Sequence, residues 1–136
     1  MKISDLERGF GFKSLQAEYA DRPLAAGYTS DLLSDVMANA KSEGVLVTIQ
    51  AHKNTVAVAS LVNLAAIVVC NGRPVPEDML EAAKAEGVAV FLTDRSQFEV
   101  SGLLWPELGG AGQAGRAGQA GAAGQSGAAP GAAGQA

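Results

Sequence analysis

Short apolar runs alternate with stretches of helical spacing from Gly44 onward. Three runs have the length of a strand and are apolar on both faces: 45–49, 65–70 and 88–92. Such strands are typical of a parallel sheet that helices cover on both sides, and their alternation with helices is the pattern of βαβ units. The pattern therefore predicts an α/β fold, a three-layer-like βαβ domain with a largely parallel central sheet.

Residue types at the ends of two predicted helices mark where these helices begin and stop. Pro76 suits a first helical position, where its missing N–H would be unpaired anyway, and Gly87 is a natural end. Ser96 and Glu99 have the spacing of a capping box, and Pro106 ends the second helix. Met79, Leu80 and Ala83 are predicted to form the buried stripe of the first helix. The second helix contains the apolar residues Phe98, Leu103 and Leu104, and Trp105 is predicted to close the edge of the core.

The segment between the first two strands, 54–62, is rich in β-branched residues and would suit a strand as well as a helix. Topology favours a helix, because two parallel strands need a crossover of about a dozen residues. Asn54 is a suitable N-cap for it.

Before Gly44 the pattern predicts one or two helical turns within 4–8 and short strands within 12–15 and 24–28. A helix follows, with Ser30 as a suitable N-cap and Asp31 in its first turn. Its apolar face is predicted to contain Leu32, Leu33, Val36 and Met37.

The chain divides into one α/β domain, residues 1–108, and a Gly/Ala/Gln-rich tail, residues 109–136. Glycine occupies every third position from Gly112 to Gly127. Collagen also needs abundant proline, whereas the tail contains only Pro130, which breaks the period. We therefore predict a disordered tail rather than a triple helix or a second domain.

Charge and cysteine content exclude several function classes. Residues 1–108 carry nine basic and fourteen acidic residues, a net charge of −5, without a cluster of positive charge. Nucleic-acid binding and attachment to anionic membranes rest on such clusters, so we expect neither partner.

The single Cys70 permits no intrachain disulfide, no apolar run is long enough to span a bilayer, and the N-terminus lacks a signal-peptide pattern. We expect a cytoplasmic protein.

Four polar loops are predicted to follow the parallel strands, at 27–31, 50–55, 71–74 and 93–96. In an open parallel sheet, ligands bind in the crevice outside the carboxyl ends of the strands. The alternative is that these polar residues are ordinary turn and cap residues. The candidate ligand-binding residues are Tyr28, Thr29, Ser30, Asp31, His52, Lys53, Asn54, Thr55, Asn71, Gly72, Arg73, Thr93, Asp94 and Arg95.

Within these loops, the run His52-Lys53-Asn54 is the best candidate for binding a phosphate. A helix N-terminus with free N–H groups lies there beside a cation and an imidazole. With one histidine and one cysteine in the chain, the sequence predicts no metal site.

For the other residues that could take part in catalysis, a purely structural role explains the sequence equally well. Asp31 and Asp35 lie one helical turn apart and could do acid/base work in a cleft, or form a solvated helix face. Cys70 ends an apolar strand and is typical of a small core residue. Ser30, His52 and Asp94 could be combined into a triad, but no nucleophile elbow and no Gly-rich phosphate motif occurs. We predict no catalytic residue and no cofactor.

Six segments carry a resemblance to a known family. The run from Gly27 to Ala40 followed by 50–59, and then 64–73, 76–87, 90–94 and 98–99, resembles stand-alone members of the DRTGG domain family. The chain is also similar to the N-terminal domain of HPr kinase/phosphorylase in the order of its strands and helices. The resemblance covers nearly all of 1–105 and none of the tail.

The resemblance implies an α/β fold and a regulatory or assembly role. Members of the family occur as accessory modules beside CBS pairs, in phosphotransacetylases or ahead of the HPr kinase catalytic domain, and some solo members are encoded near iron hydrogenase or redox genes. The literal Asp-Arg-Thr-Gly-Gly string and a kinase P-loop are both absent from this chain. HPr phosphorylation and catalytic residues are therefore not carried over.

The leading hypothesis is a non-catalytic regulatory module that senses a phosphorylated or nucleotide-like metabolite, or binds a partner protein, and forms a homodimer. A link to redox or hydrogenase metabolism follows from the resemblance alone. One alternative is a small enzyme that uses His52 with Asp31 or Asp94 as acid/base groups, and another is a structural assembly element.

Overall fold

The computed structural model describes residues 1–109. The predicted tail, 109–136, lies outside the described residues except for Gly109.

A five-stranded sheet lies at the centre of the fold. Its strands are β1 (Lys13–Gln16), β2 (Gly27–Thr29), β3 (Val45–Thr48), β4 (Ala66–Val69) and β5 (Ala89–Leu92). They lie side by side in the order β1-β5-β4-β3-β2. Strands β2 to β5 are parallel, and β1 runs antiparallel to β5. The predicted α/β fold with a largely parallel central sheet is confirmed.

Helices cover both faces of this sheet. They are α1 (Asp5–Arg8), α2 (Leu33–Asn39), α3 (Lys53–Leu61), α4 (Glu77–Glu86) and α5 (Gln97–Leu104), which continues into a π-helical turn (Trp105–Gly109). Buried residues of α2, α3 and α4 pack in one apolar cluster, and those of α1, α5 and the π-helical turn pack in the other. The fold therefore has three layers.

The two clusters meet at the sheet because successive side chains of a strand point to opposite faces. In β3, Val45 and Val47 belong to the cluster under α5, while Leu46 belongs to the cluster under α2, α3 and α4. All four residues of β3 and of β4 are buried. The continuous apolar runs in the sequence are the signature of these doubly covered strands.

The helix starts differ from the predictions. His52, not Asn54, is the N-cap of α3, and its imidazole accepts a hydrogen bond from the Asn54 N–H. The N-cap of α2 is Leu32 rather than Ser30, without a side-chain cap. Pro76 precedes α4 as its N-cap instead of occupying the first helical position. The predicted capping box of Ser96 and Glu99 is confirmed.

Trp105, predicted to close the edge of the core, is exposed, and so is Phe98 on the helix before it. Phe98 is 89% exposed and Trp105 48% exposed. The buried side of α5 contains Val100 and Leu104, and Phe98 lies two residues from Val100, about 200° around the helix. Trp105 therefore does not close the core.

The predicted apolar face of α2 is also narrower than its sequence suggests. Val36 is buried, whereas Leu32 and Met37 are exposed, because α2 is short and contacts the core at one position. Among residues 1–109, no helix is long and apolar enough to cross a membrane.

Candidate functional site

The four predicted loops follow β2, β3, β4 and β5, and since these strands are parallel, the loops meet at one edge of the sheet. We call this edge, residues 30–31, 50–55, 71–74 and 93–96, the carboxyl rim. Two candidate residues, Tyr28 and Thr29, belong to β2 itself.

Asp31 connects three of the chain segments that meet at the carboxyl rim. Its Oδ1 accepts the Thr48 hydroxyl and the Ile49 N–H, both at 2.9 Å. Its Oδ2 accepts the Gln97 amide at 3.1 Å, and the Gln50 amide donates to its backbone carbonyl at 2.9 Å. The carboxylate therefore links the β2 loop to the end of β3 and to the start of α5.

These contacts set the charge state of Asp31. Burial alone would raise the pKa of the Asp31 carboxyl. Hydrogen bonds from Ile49, Gln97 and Thr48 lower the pKa and outweigh burial, and the positive charge of Arg73 lowers it further. Asp31 is held ionised with both oxygens occupied, as a structural anion and not as a free base.

Cys70 follows β4 and is fully buried. Burial raises the pKa of the Cys70 thiol to about 11, and the negative charge of Asp31 adds to this shift. A thiol that stays protonated is a poor nucleophile and a poor metal ligand. The interpretation of Cys70 as a small core residue agrees with this environment.

The loops after β4 and β5 are joined by backbone hydrogen bonds. Asn71 and Gly72 are both left-handed, with φ of 61° and 59°. In this conformation the Asn71 N–H donates to the Arg95 carbonyl and the Gly72 N–H donates to the Thr93 carbonyl, each at 2.9 Å. A Cβ on Gly72 would lie 2.6 Å from a carboxylate oxygen of Asp94, so a larger residue here would displace the Asp94 side chain and would also have to adopt the left-handed backbone.

Part of the candidate phosphate site at His52-Lys53-Asn54 stabilises the start of α3. The Nδ1 atom of His52 accepts the Asn54 N–H at 3.0 Å, so one of the free N–H groups of α3 is already paired. Thr55 is fully buried, and its hydroxyl donates to the Gln50 carbonyl at 2.8 Å. Thr55 thus lies out of reach of a ligand at the rim, whereas Lys53 and Asn54 are exposed.

Asp31 and Asp35 do not share a site. The carboxylate of Asp35 accepts the Tyr28 hydroxyl at 2.9 and 3.0 Å and one N–H of the Asn39 amide at 2.9 Å. Tyr28 therefore points toward α2 and away from the centre of the rim, while the Ser30 hydroxyl accepts the Leu32 N–H at 3.2 Å.

A groove of about 430 Å³ reaches the carboxyl rim at its β1–β5 end. We call it the rim groove. Lys13 enters it because β1 is antiparallel to β5, which places the start of β1 beside Leu92 at the end of β5. The sequence predicted a short strand within 12–15 but gave no sign that it pairs antiparallel with β5, so Lys13 was not a candidate. The lining residues are Gly11, Lys13, Leu92, Thr93, Asp94 and Arg95.

The charges around the rim groove are mostly solvent-exposed. Arg95 forms an ion pair with Glu99 at 3.5 Å, one helical turn further on. Among residues 1–109, Lys13, Lys53 and Arg73 have no carboxylate within ion-pair distance. The rim therefore presents cations on a hydrogen-bonded scaffold.

A second space, about 320 Å³, lies between β2 and α5, and we call it the β2–α5 cavity. Only two of its lining residues, Tyr28 and Thr29, were candidates from the sequence. The others have no charged group and carry no motif, and the one available signal was Trp105 after a helix. The lining residues are Gly27, Tyr28, Thr29, Val47, Ser101, Leu104, Trp105, Leu108 and Gly109.

The acid/base alternative finds no assembled site in the part of the chain that the structure describes. His52 forms no hydrogen bond or ion pair with Asp31 or Asp94, and the acceptor atoms of Asp31 are taken by other donors. Within residues 1–109, no group of three or more His, Cys, Asp or Glu side chains could hold a metal ion.

Comparison with known proteins adds information on the fold. No family model and no curated protein matches this chain. A solved structure does: the CBS and DRTGG domains of the regulatory region of Clostridium perfringens pyrophosphatase, complexed with its activator diadenosine tetraphosphate. The TM-score is 0.60 at 10% sequence identity, over 75% of this chain and 45% of that one.

At this identity the likeness concerns the fold alone. The chain spans less than half of the length of the solved chain, which contains both kinds of domain. The resemblance seen in the sequence is thus supported at the level of a CBS/DRTGG-like fold.

Proposed function

We propose that this chain is a regulatory, non-catalytic module of the DRTGG type that recognises a phosphorylated or nucleotide-like small molecule at the carboxyl rim. The rim groove carries the proposal. It brings Lys13 and Arg95 to one concave surface, at the edge of a parallel sheet where ligands commonly bind. Two cations on a preformed surface suit a phosphate group.

The connection between the loops supports this assignment. The loop that contains Arg73 is joined to the groove wall by the hydrogen bond from Asn71 to Arg95. Asp94 lies in the same groove, so a bound phosphate must approach from the side of Lys13 and Arg95. The solved structure with a similar fold belongs to a regulatory region complexed with a nucleotide activator, which agrees with a regulatory role for this fold.

Calorimetry of the full chain against pyrophosphate, acetyl phosphate and ATP tests the proposal. We expect saturable binding of at least one of them, weakened about tenfold by Arg95→Gln and by Lys13→Gln, the loss of one charge-assisted hydrogen bond. Lys41→Gln is the matched control, because it removes the same charge from the opposite end of the sheet, before β3. Absence of binding, or equal weakening by Lys41→Gln, would contradict the proposal.

A homodimer is the second part of the proposal, and the exposure of Phe98 supports it. Leu103 and Trp105 are exposed on the same helix and the turn that follows it, and aromatic side chains are enriched in protein interfaces. We expect light scattering to give the mass of two chains and Phe98→Ser to give one. A monomeric wild-type chain at all concentrations would refute this part and leave the rim proposal untouched.

A further inference from the structure

The β2–α5 cavity combines an aromatic wall with a narrow apolar space. Trp105 forms one side, and the backbone of Gly109 lies directly against its indole, so that any side chain at this position would collide with the ring. Val47, Leu104 and Leu108 are buried and contribute apolar atoms. At about 320 Å³, the cavity is at the lower end of the range for small-molecule sites, roughly 300–1,000 Å³.

Hydrogen-bonding groups reach this cavity from two sides. The hydroxyls of Thr29 and Ser101 lie 2.6 Å apart and form a hydrogen bond with each other. Each hydroxyl can donate one bond and accept further ones, so the pair retains acceptor capacity. Because one hydroxyl is on β2 and the other on α5, a ring placed between the two elements would meet both.

The outer edge of β2 adds backbone groups. The Ala26 carbonyl and the Ser30 N–H bond to β3. Because alternate residues of a strand direct their backbone groups to opposite sides, the N–H and C=O groups of Gly27 and Thr29 face away from β3. Within residues 1–109, β2 is the last strand of the sheet and no strand pairs with that edge. Adjacent donors and acceptors of this kind match the edge of a heterocyclic base.

We propose that the β2–α5 cavity binds a flat heteroaromatic ring of the purine class, stacked near Trp105 and hydrogen-bonded to the edge of β2. Aromatic stacking supplies affinity without requiring charge, which agrees with a cavity that no charged residue lines. The site is separate from the rim groove, and a nucleoside without phosphate should bind it. The inference therefore goes beyond the proposed function and does not depend on it.

Trp105 is the only tryptophan of the chain, so its fluorescence reports directly on the cavity. Adenosine is the probe, titrated into the full chain with excitation at the red edge of indole absorption, where purines do not absorb. We expect saturable quenching of Trp105 by adenosine and none by pyrophosphate. Unchanged fluorescence together with no adenosine binding in calorimetry would overturn the inference.

Gly27→Val is the variant that fills the cavity. A Cβ at this position would lie 3.7 Å from Leu108 and 3.8 Å from Val45, which is ordinary contact, so the first carbon of a side chain fits here. We expect adenosine to bind at least about tenfold more weakly, with an unchanged circular dichroism spectrum. Gly102→Ala is the matched control, because its added methyl group would point into open space outside the cavity. It should leave binding within about twofold.

These titrations distinguish a failure of the cavity inference from a failure of the rim proposal. If pyrophosphate binds and Arg95→Gln weakens it, while adenosine neither quenches Trp105 nor binds in calorimetry, the cavity inference is overturned and the rim proposal stands. If Gly27→Val removes adenosine binding while pyrophosphate never binds, the inference stands and the rim proposal is contradicted.

Discussion

The carboxyl rim and the β2–α5 cavity are neighbours in the fold but are built from opposite kinds of residue. At the rim, polar groups bond mostly to each other: the carboxylate of Asp31 accepts three hydrogen bonds, and His52 caps α3. In the cavity, Gly27 and Trp105 offer space, an aromatic surface and a strand edge with which no strand of residues 1–109 pairs. Polar side chains therefore hold the loops of the rim in place and leave a groove lined by charged residues, whereas the cavity is lined by apolar and uncharged residues.

Removing the Asp31 carboxylate is expected to give the largest loss of stability. Asp31→Ala leaves the Thr48 hydroxyl and the Ile49 N–H without their acceptor, which costs about 3 kcal/mol of the free energy of unfolding. Urea titration measures this change in the free energy of unfolding. Asp94→Ala, an exposed carboxylate on the same rim, should stay within about 0.5 kcal/mol. Equal losses for both variants would contradict the structural role of Asp31.

The same carboxylate predicts a direction for pH dependence. Because the pKa of Asp31 is lowered in the folded state, its contribution to stability is present above the unfolded-state pKa and is lost as pH falls through the folded-state pKa. Asp31→Asn should therefore weaken the fall of melting temperature on acidification. An acid profile identical to that of the wild type would show that other carboxylates dominate.

Gly72→Ala tests the contact between the loops after β4 and β5. Left-handed backbone costs a residue with a Cβ about 1–2 kcal/mol, and here Asp94 must also move. Gly11→Ala has a similar positive φ, 74°, with nothing within 4 Å of the added Cβ. The free energy of unfolding should fall further for Gly72→Ala than for Gly11→Ala, and the reverse order would show that the loop contact is unimportant.

The role of His52 as a cap predicts a smaller effect. His52→Ala should destabilise the fold by about 1 kcal/mol, and His52→Asn should recover most of this loss, since Asn is a strong N-cap. Thermal unfolding of the wild type, His52→Ala and His52→Asn measures the loss of stability and its recovery. If His52→Ala abolished a measured turnover without loss of stability, the acid/base alternative would replace the cap interpretation.

Gly102→Ala is expected to have the smallest effect, and a favourable one. The position is helical and exposed, with open space around an added Cβ, so alanine should stabilise α5 by up to about 1 kcal/mol. A rise in melting temperature, with adenosine binding kept, would confirm that the outer side of α5 is separate from the cavity. A clear destabilisation would mean that this side contacts something in solution.

The sheet could be predicted from the sequence because its central strands are doubly covered. Val45, Ile67 and Val90 lie in apolar runs that no exposed strand would contain, and their alternation with helices fixes a parallel arrangement. Ser96 with Glu99 was also predictable, since the capping box is a local pattern.

The missed features depend on tertiary contacts. Histidine is an uncommon N-cap, so His52 gave no capping signal, and the partners of Asp31 come from segments 17 to 66 residues away. Phe98 and Leu104 look alike as apolar residues, but one is exposed and the other buried because they lie on different sides of α5, and the side that faces the sheet is set by tertiary packing.

Backbone amide shifts of the full chain, recorded with pyrophosphate and separately with adenosine, test the division between rim and cavity most directly. We predict that pyrophosphate moves amides in 93–96 and 71–74, and that adenosine moves amides in 27–29 and 101–109. Two ligands that shift the same set of amides, or that shift none of these residues, would contradict the account.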